Sequence, residues 1–198
     1  METAYVSDYT LTPASPLNGF SKRYGDTELS EHPALDIVSL ATPNGGDETL
    51  NALVLEKVGA GLPETGRISR ADDSSMFLGL QPDQCFLVSE SQRLQPALEL
   101  KNLLGDAAYV SDQSDSWAVL EIQGPKAHAA LERICPIDIS ANVFDEDSVA
   151  RTSMEHLSVI IHRHGTDGYR LYSPRSSANS FLHAVTESLY NVSSTTQG

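Results

Sequence analysis

The chain has 198 residues, 40% of them hydrophobic, with 13 Lys and Arg against 27 Asp and Glu, a formal charge of −14. That length suits one domain, or two small subdomains sharing a core, without staples. The acidic balance argues against nucleic acid and anionic membranes, which need cationic neutralisation; it reads as solubility, or as a partner with a basic face.

Residues 1–34 are rich in Pro, Ser, Thr, Gly and charge, and read as an extended arm. They lack the basic and apolar regions of a signal peptide. No run approaches the roughly 20 apolar residues of a membrane span, so the expected home is the cytoplasm. Residues 35–40 and 50–58 read as strands around a Pro43-Asn44-Gly45-Gly46-Asp47 turn. Residues 59–73, with Gly61, Pro63 and Gly66, read as a loop.

The short apolar runs 76–80 and 85–88 flank Gln81-Pro82-Asp83-Gln84, the pattern of a tight β-hairpin. Residues 94–104 read as a helix with Leu94, Ala97, Leu98 and Leu104 near one face. Its start is delayed toward Pro96, and Gly105 supplies the stop.

In 117–122, Ala118, Leu120 and Ile122 alternate onto one strand face, leaving Trp117, Val119 and Glu121 on a mixed face. Gly124-Pro125 then leads into a helix whose Ala127, Ala130, Leu131 and Ile134 recur at helical spacing. Leu157, Val159 and Ile161 alternate on a further strand, with the opposite face expected in solvent. After a Gly165-Thr166-Asp167-Gly168 turn, residues 169–172 form a short strand. Ser173-Pro174 is expected to cap and open a last helix, with Ala178, Phe181, Leu182, Val185 and Leu189 as its buried stripe. Clustered strands with interspersed helices predict an α+β fold with antiparallel sheets.

Candidate chemistry is sparse. His162 and His164 share a strand face, with His156 and Asp167 nearby in sequence, but a metal needs a third ligand and a second layer of support. Asp112, Asp115 and Glu121 form an acidic group best read as turn formers. Gly124-Pro125 could offer amides to an anion, although Pro125 has none, and a structural role is preferred. Gly59-Ala60-Gly61 is too short for a phosphate loop, and neither a dinucleotide fingerprint nor a nucleophile elbow occurs. Cys85 and Cys135 stand apart without a CxxC pattern, so buried structural thiols in a reducing compartment are expected. Asn191-Val192-Ser193 matches a glycosylation sequon that, without an export signal, is taken as accidental.

Two segments carry a family resemblance. Leu78-Gly79-Leu80-Gln81-Pro82-Asp83-Gln84-Cys85-Phe86-Leu87 is similar to an LGPDEWLL hairpin, with one extra residue before the proline and Cys85-Phe86 where Glu-Trp-like pairs are usual. Residues 110–115, with Asp112-Gln113-Ser114-Asp115, and residues 120–127, with Gly124-Pro125, resemble a core of the form DQSD…L.L.GP.A…L. Weaker matches follow at Ala150-Arg151-Thr152 and at residues 169–178. Over about residues 50–190 the chain resembles the gamma subunits of bacterial heterotetrameric sarcosine oxidases. That family is related to the folate-binding aminomethyltransferases, the T proteins of glycine cleavage.

The resemblance implies two small subdomains of the aminomethyltransferase-like (ferredoxin-like) type with helices packed on one side of antiparallel sheets. They would span residues 35–198 after the 1–34 arm, dividing near 35–123 and 124–198. It implies an accessory, non-catalytic subunit with alpha, beta and delta partners. The complex would demethylate sarcosine oxidatively to glycine and hydrogen peroxide, passing the methyl carbon to tetrahydrofolate or releasing formaldehyde. FAD, FMN, NAD and zinc would sit on other subunits. No catalytic, cofactor-binding or metal residue is assigned to this chain. The alternatives are a stand-alone folate-binding or aminomethyltransferase-like protein, or a subunit of a related N-methyl amine oxidase complex. The face around Trp117 and the loop 61–70 are the candidate partner surfaces, with Trp117 in the core as the competing reading.

Overall fold

The computed structural model describes residues 14–71 and 74–194. Eleven strands and four α-helices follow in the described chain. They run β1 (Ser21–Tyr24), β2 (Thr27–Glu31), β3 (Asp36–Ala41), α1 (Asp47–Val58), β4 (Ile68–Arg70), β5 (Met76–Gln81), β6 (Gln84–Ser89), α2 (Pro96–Leu104) and β7 (Tyr109–Asp112). Then come β8 (Trp117–Gln123), α3 (Ala127–Glu132), β9 (Val149–Met154), β10 (Leu157–Arg163), β11 (Gly168–Pro174) and α4 (Ala178–Ser194).

The strands make two antiparallel sheets, ordered β1-β2-β8-β11-β10-β9 and β4-β5-β6-β3-β7. The sheets face each other through a shared apolar layer. Leu35, Ile37, Leu78, Phe86 and Val88 meet Val119, Val149, Ile160 and Tyr172 there. Helices cover each outer face. α3 and α4 bring Ala127, Ala130, Leu131, Phe181, Val185 and Leu189 onto Leu120, Ile122, Val159 and Leu171. On the other side α1 and α2 bring Leu50, Val54, Leu100 and Leu104 onto Val38, Leu40, Phe77 and Leu87. The result is four layers, helix, sheet, sheet, helix, so each sheet carries helices on one side.

This layering corrects several expectations. The described part of the 1–34 arm, from Ala14, is not an extended arm: β1 and β2 form a hairpin, and β2 pairs with β8 from Glu28↔Gln123 to Glu31↔Leu120. Leu29 is fully buried and supplies the apolar anchor that the polar composition hid. Residues 1–13 lie outside the described residues. The division at 35–123 also shifts, because β8 joins the six-stranded sheet through β2 and β11. Residues 36–112 supply the whole five-stranded sheet.

Residues 50–58 are helix, not strand. In α1, Leu50 and Val54 sit one turn apart and are buried. Asp47 and Glu48 occupy the first turn, Lys57 the last, and Gly59 ends the helix at φ 85° with its N–H on the Leu55 carbonyl. Those charges suit the helix dipole, and the left-handed stop suits glycine. The 59–73 loop contains the short strand β4, paired with β5. α2 starts at Pro96 and ends at Gly105 as expected. Its buried face is Leu100 and Leu104, however, while Leu94 is 92% exposed and Leu98 is also exposed. Ser173-Pro174 continues β11 instead of opening the last helix, and residues Arg175–Ser177 form a single 3-10 turn before α4. Most of the predicted stripe of α4 holds, with Ala178, Phe181, Val185 and Leu189 buried and Leu182 partly buried.

The predicted hairpin closes through the two residues Pro82-Asp83, with Gln81 opposite Gln84. Gly79, beside the irregularity in this ladder, has a specific role. Its N–H donates to the Arg67 carbonyl at 3.0 Å and its carbonyl accepts from Gly66 at 2.8 Å. A Cβ there would lie 2.2 Å from the Glu64 carbonyl oxygen, so only glycine lets the 59–67 loop cross the strand this closely.

Candidate functional site

The most polar part of the interior lies between the sheets. On β11 the side chains of Arg170 and Tyr172 point to the inter-sheet layer, while Tyr169 and Leu171 point to the helices. Register puts Arg170 opposite Glu121 on one side and opposite His162 on the other. The Arg170 side chain is 3% exposed. Its Nη2 donates to Glu121 Oε2 at 3.3 Å and lies 3.6 Å from Glu90 Oε1. His32 Nε2 faces the same two carboxylates at 3.7 and 3.9 Å. Arg170 Nε and Nη1, Tyr172 Oη and His162 Nδ1 are buried without hydrogen-bond partners among the described residues.

Burial dominates the electrostatics of this group. The His162 pKa is pushed down to about 3, first by desolvation and then by the nearby Arg170 charge, so the ring is neutral at ordinary pH. His32 is lowered too, mainly by burial, although its bond to the Pro33 carbonyl opposes this. Burial raises the Tyr172 phenol. The expectation that this face of β10 lies in solvent is therefore wrong: Ile160 and His162 are both buried, because the second sheet covers them.

The histidines do not converge. His162 and His164 sit with ring centroids 6.4 Å apart, whereas His156 occupies the β9–β10 turn at the other end of β10. Seven strand residues separate those ends by roughly 20 Å. Among the described residues no group of three His, Cys, Asp or Glu could hold a metal. Asp167 instead accepts the Gly124 N–H through its carbonyl.

The acidic group acts locally. Asp112 Oδ1 accepts the N–H and hydroxyl of Ser114 at 2.9 and 2.7 Å, and Ser114 Oγ in turn accepts the Ile37 N–H. Asp115 is solvent-exposed, and Glu121 joins Arg170. At Gly124-Pro125 the amides are engaged: Lys126 N–H donates to Thr27 Oγ1 and Ala127 N–H to the Gly124 carbonyl. Gly124 has φ 130°, and a Cβ there would lie 2.5 Å from the Asp26 carbonyl. This turn therefore seats the β1–β2 hairpin on the start of α3. Burial raises both thiols, Cys85 to about 12.

Arg163 and Arg170 escaped the sequence reading. Arg163 is buried and donates to the carbonyls of Ile139 and Phe144, to Tyr169 Oη and to the Thr166 carbonyl, tying the loop before β9 to the β10–β11 turn. Their signal in the sequence was weak: each is the single arginine of its strand.

A cleft of about 870 Å³ opens at one margin of the inter-sheet layer. Leu35, Ile37, Trp117 and Val119 supply its apolar wall, and Ser114, His32 and Arg175 stand among its polar groups. Trp117 is only half-buried. Its ring meets Phe86 edge-on at 5.8 Å, with the Arg151 guanidinium 5.9 Å from its centroid. It is thus a wall residue and not a core centre.

The GCVT N-terminal domain family matches residues 65–194. The chain belongs to that family. It is 32% identical over 128 residues to a sarcosine oxidase subunit gamma of Corynebacterium sp. (strain P-1), covering 64% of this chain and 62% of that one. The subunit gamma of an Arthrobacter sp. is 28% identical over 143 residues, covering 69% and 70%. The chain thus spans a little under two thirds of the Corynebacterium relative.

Among solved structures, a chain of the heterotetrameric sarcosine oxidase from Corynebacterium sp. U-96 superposes with a TM-score of 0.75 at 25% identity. The match covers 84% of this chain and 85% of that one. The glycine cleavage aminomethyltransferase T of Bartonella henselae gives 0.61 at 17% identity, over 81% of this chain and 45% of that one. The second likeness establishes the fold alone: this GCVT-family chain has an aminomethyltransferase-like α+β fold.

Proposed function

We propose that this chain is the non-catalytic gamma subunit of a heterotetrameric, flavin-dependent sarcosine oxidase. The observation that carries the reading is the superposition on a sarcosine oxidase chain over most of both chains. Similarity to curated gamma subunits supports it. The polar side chains singled out in the sequence serve turns and sheet packing, which supports an accessory role. The alpha, beta and delta partners would carry FAD, FMN, NAD and zinc. Sarcosine, water and oxygen would give glycine, formaldehyde and hydrogen peroxide, with the carbon passed to tetrahydrofolate where that acceptor is bound. The complex would work in the cytoplasm; no helix among the described residues is long and apolar enough to cross a membrane.

Co-expression with flavoprotein alpha and beta chains and a delta chain tests the proposal. A yellow complex that retains this chain through gel filtration is the expected result. A chain that elutes as a free monomer from that mixture overturns it. The family match also favours a second reading, a stand-alone folate-binding protein. Calorimetry with tetrahydrofolate on the isolated chain decides it, and no heat of binding at millimolar ligand removes it.

A further inference from the structure

The cleft beside Trp117 has a volume, about 870 Å³, within the roughly 300–1,000 Å³ typical of pockets for small organic molecules. Its apolar wall is built by residues from both sheets, Trp117 and Val119 from β8 with Leu35 and Ile37 around the start of β3. Trp117 also carries a buried indole N–H with no acceptor among the described residues.

The charges around the cleft are unequal in availability. Glu31 is occupied by the Ser15 hydroxyl and the N–H groups of Leu17 and Gly19. His32 bonds the Pro33 carbonyl through Nδ1 and turns Nε2 toward Glu90 and Glu121. Burial lowers its pKa and so favours the neutral ring. The Asp115 carboxylate is fully solvated. Arg175 is the single Arg or Lys among the lining residues. It donates through Nη2 to the Ala14 carbonyl and holds Nη1 4.0 Å from Asp115. A guanidinium has five N–H donors, so this one keeps capacity for a further acceptor.

We propose that this cleft binds a small organic anion, with a flat apolar body against Trp117 and an acidic group on Arg175. A forked guanidinium beside an aromatic wall suits a planar oxyanion. A docked protein segment fits less well. The exposed large apolar side chains Leu94, Leu98 and Tyr109 lie on or beside α2 and on β7, and none of them lines the cleft. The inference goes beyond the subunit role.

Trp117 is the only tryptophan in the chain, so selective indole excitation isolates an emitter on the cleft wall. The probe is 8-anilinonaphthalene-1-sulfonate, titrated into the full-length chain with excitation of Trp117. Saturable binding of one probe per chain is expected, with energy transfer from Trp117. Arg175→Gln should weaken it tenfold or more, and Arg175→Lys by less than Arg175→Gln, because lysine keeps the charge and loses the fork. On the unaltered chain, naphthalene-2-carboxylate should displace the probe at least tenfold better than its neutral amide. Non-saturable binding, equal affinity for Arg175→Gln, or equal displacement by acid and amide would overturn the proposal. Such a failure leaves the subunit reading untouched, because that reading is tested by assembly.

Discussion

The sharpest consequence of the two-sheet packing concerns His162. The ring is 1% exposed, lies 5.8 Å from the Tyr172 ring, and faces Arg170 across the β10–β11 ladder. Its pKa falls from 6.5 in the unfolded chain to about 3 in the fold. Above pH 6.5 both states hold the imidazole neutral, and the group contributes no pH dependence. As the pH falls from 6.5 toward 3, the unfolded chain takes up a proton that the folded chain refuses. Stability then declines by up to about 1.4 kcal/mol per pH unit. Between pH 7.5 and 5 the loss from this residue is about 2 kcal/mol.

His162→Leu replaces the ring with an apolar side chain of similar volume. Urea unfolding at 25 °C should be followed for parent and variant from pH 8 to pH 5. The parent should lose about 2 kcal/mol more than the variant across that interval, roughly a 1 M difference in midpoint shift. The charged and titratable groups nearest the ring are Arg170, His164, Arg70 and His32, and all four are present in both proteins. Parallel curves would refute the reasoning, because they would mean that the ring protonates readily in the fold.

Three further outcomes follow from local geometry. The β9–β10 turn places Glu155 and His156 at φ 47° and 67°, a two-residue turn that favours Asn-Gly. Glu155→Asn with His156→Gly should raise stability by about 1 kcal/mol, read as an increase in thermal midpoint. Gly79→Ala should lower it by about 1–3 kcal/mol or more in urea titration, since its Cβ would strike the Glu64 carbonyl; an unchanged midpoint would show that the loop crossing is loose. Cys85 and Cys135 are buried with raised pKa values, so an aromatic disulfide reagent should modify them only after denaturation. Fast native-state reaction of either thiol would contradict their placement.

Where one element faces water, or one helix face packs, the sequence was legible. The stripes of α3 and α4, the Pro82-Asp83 hairpin and the Gly105 stop all rest on contacts within a few residues. The misreading of residues 50–58 has a physical cause. The apolar residues of 50–58 do not keep to one period that separates a strand from a helix, and packing on the five-stranded sheet selected Leu50 and Val54 as the inner pair. Turn chemistry was equally local: Asp112 and Ser114 close their own bend, as their residue types suggested.

By itself, then, the sequence determined the α+β class, the antiparallel pairing of neighbours, and the absence of local signatures for nucleotide or thiolate-metal binding. Tertiary structure alone decided which strand faces are dry. His162 reads as a surface residue, and Arg170 carries no mark of its role, until a second sheet, distant in sequence, closes over them. The same closure brings Arg175, Trp117 and Ile37 around one cleft. Desolvation depends on what arrives from elsewhere in the chain, and no local spacing of residues encodes that arrival.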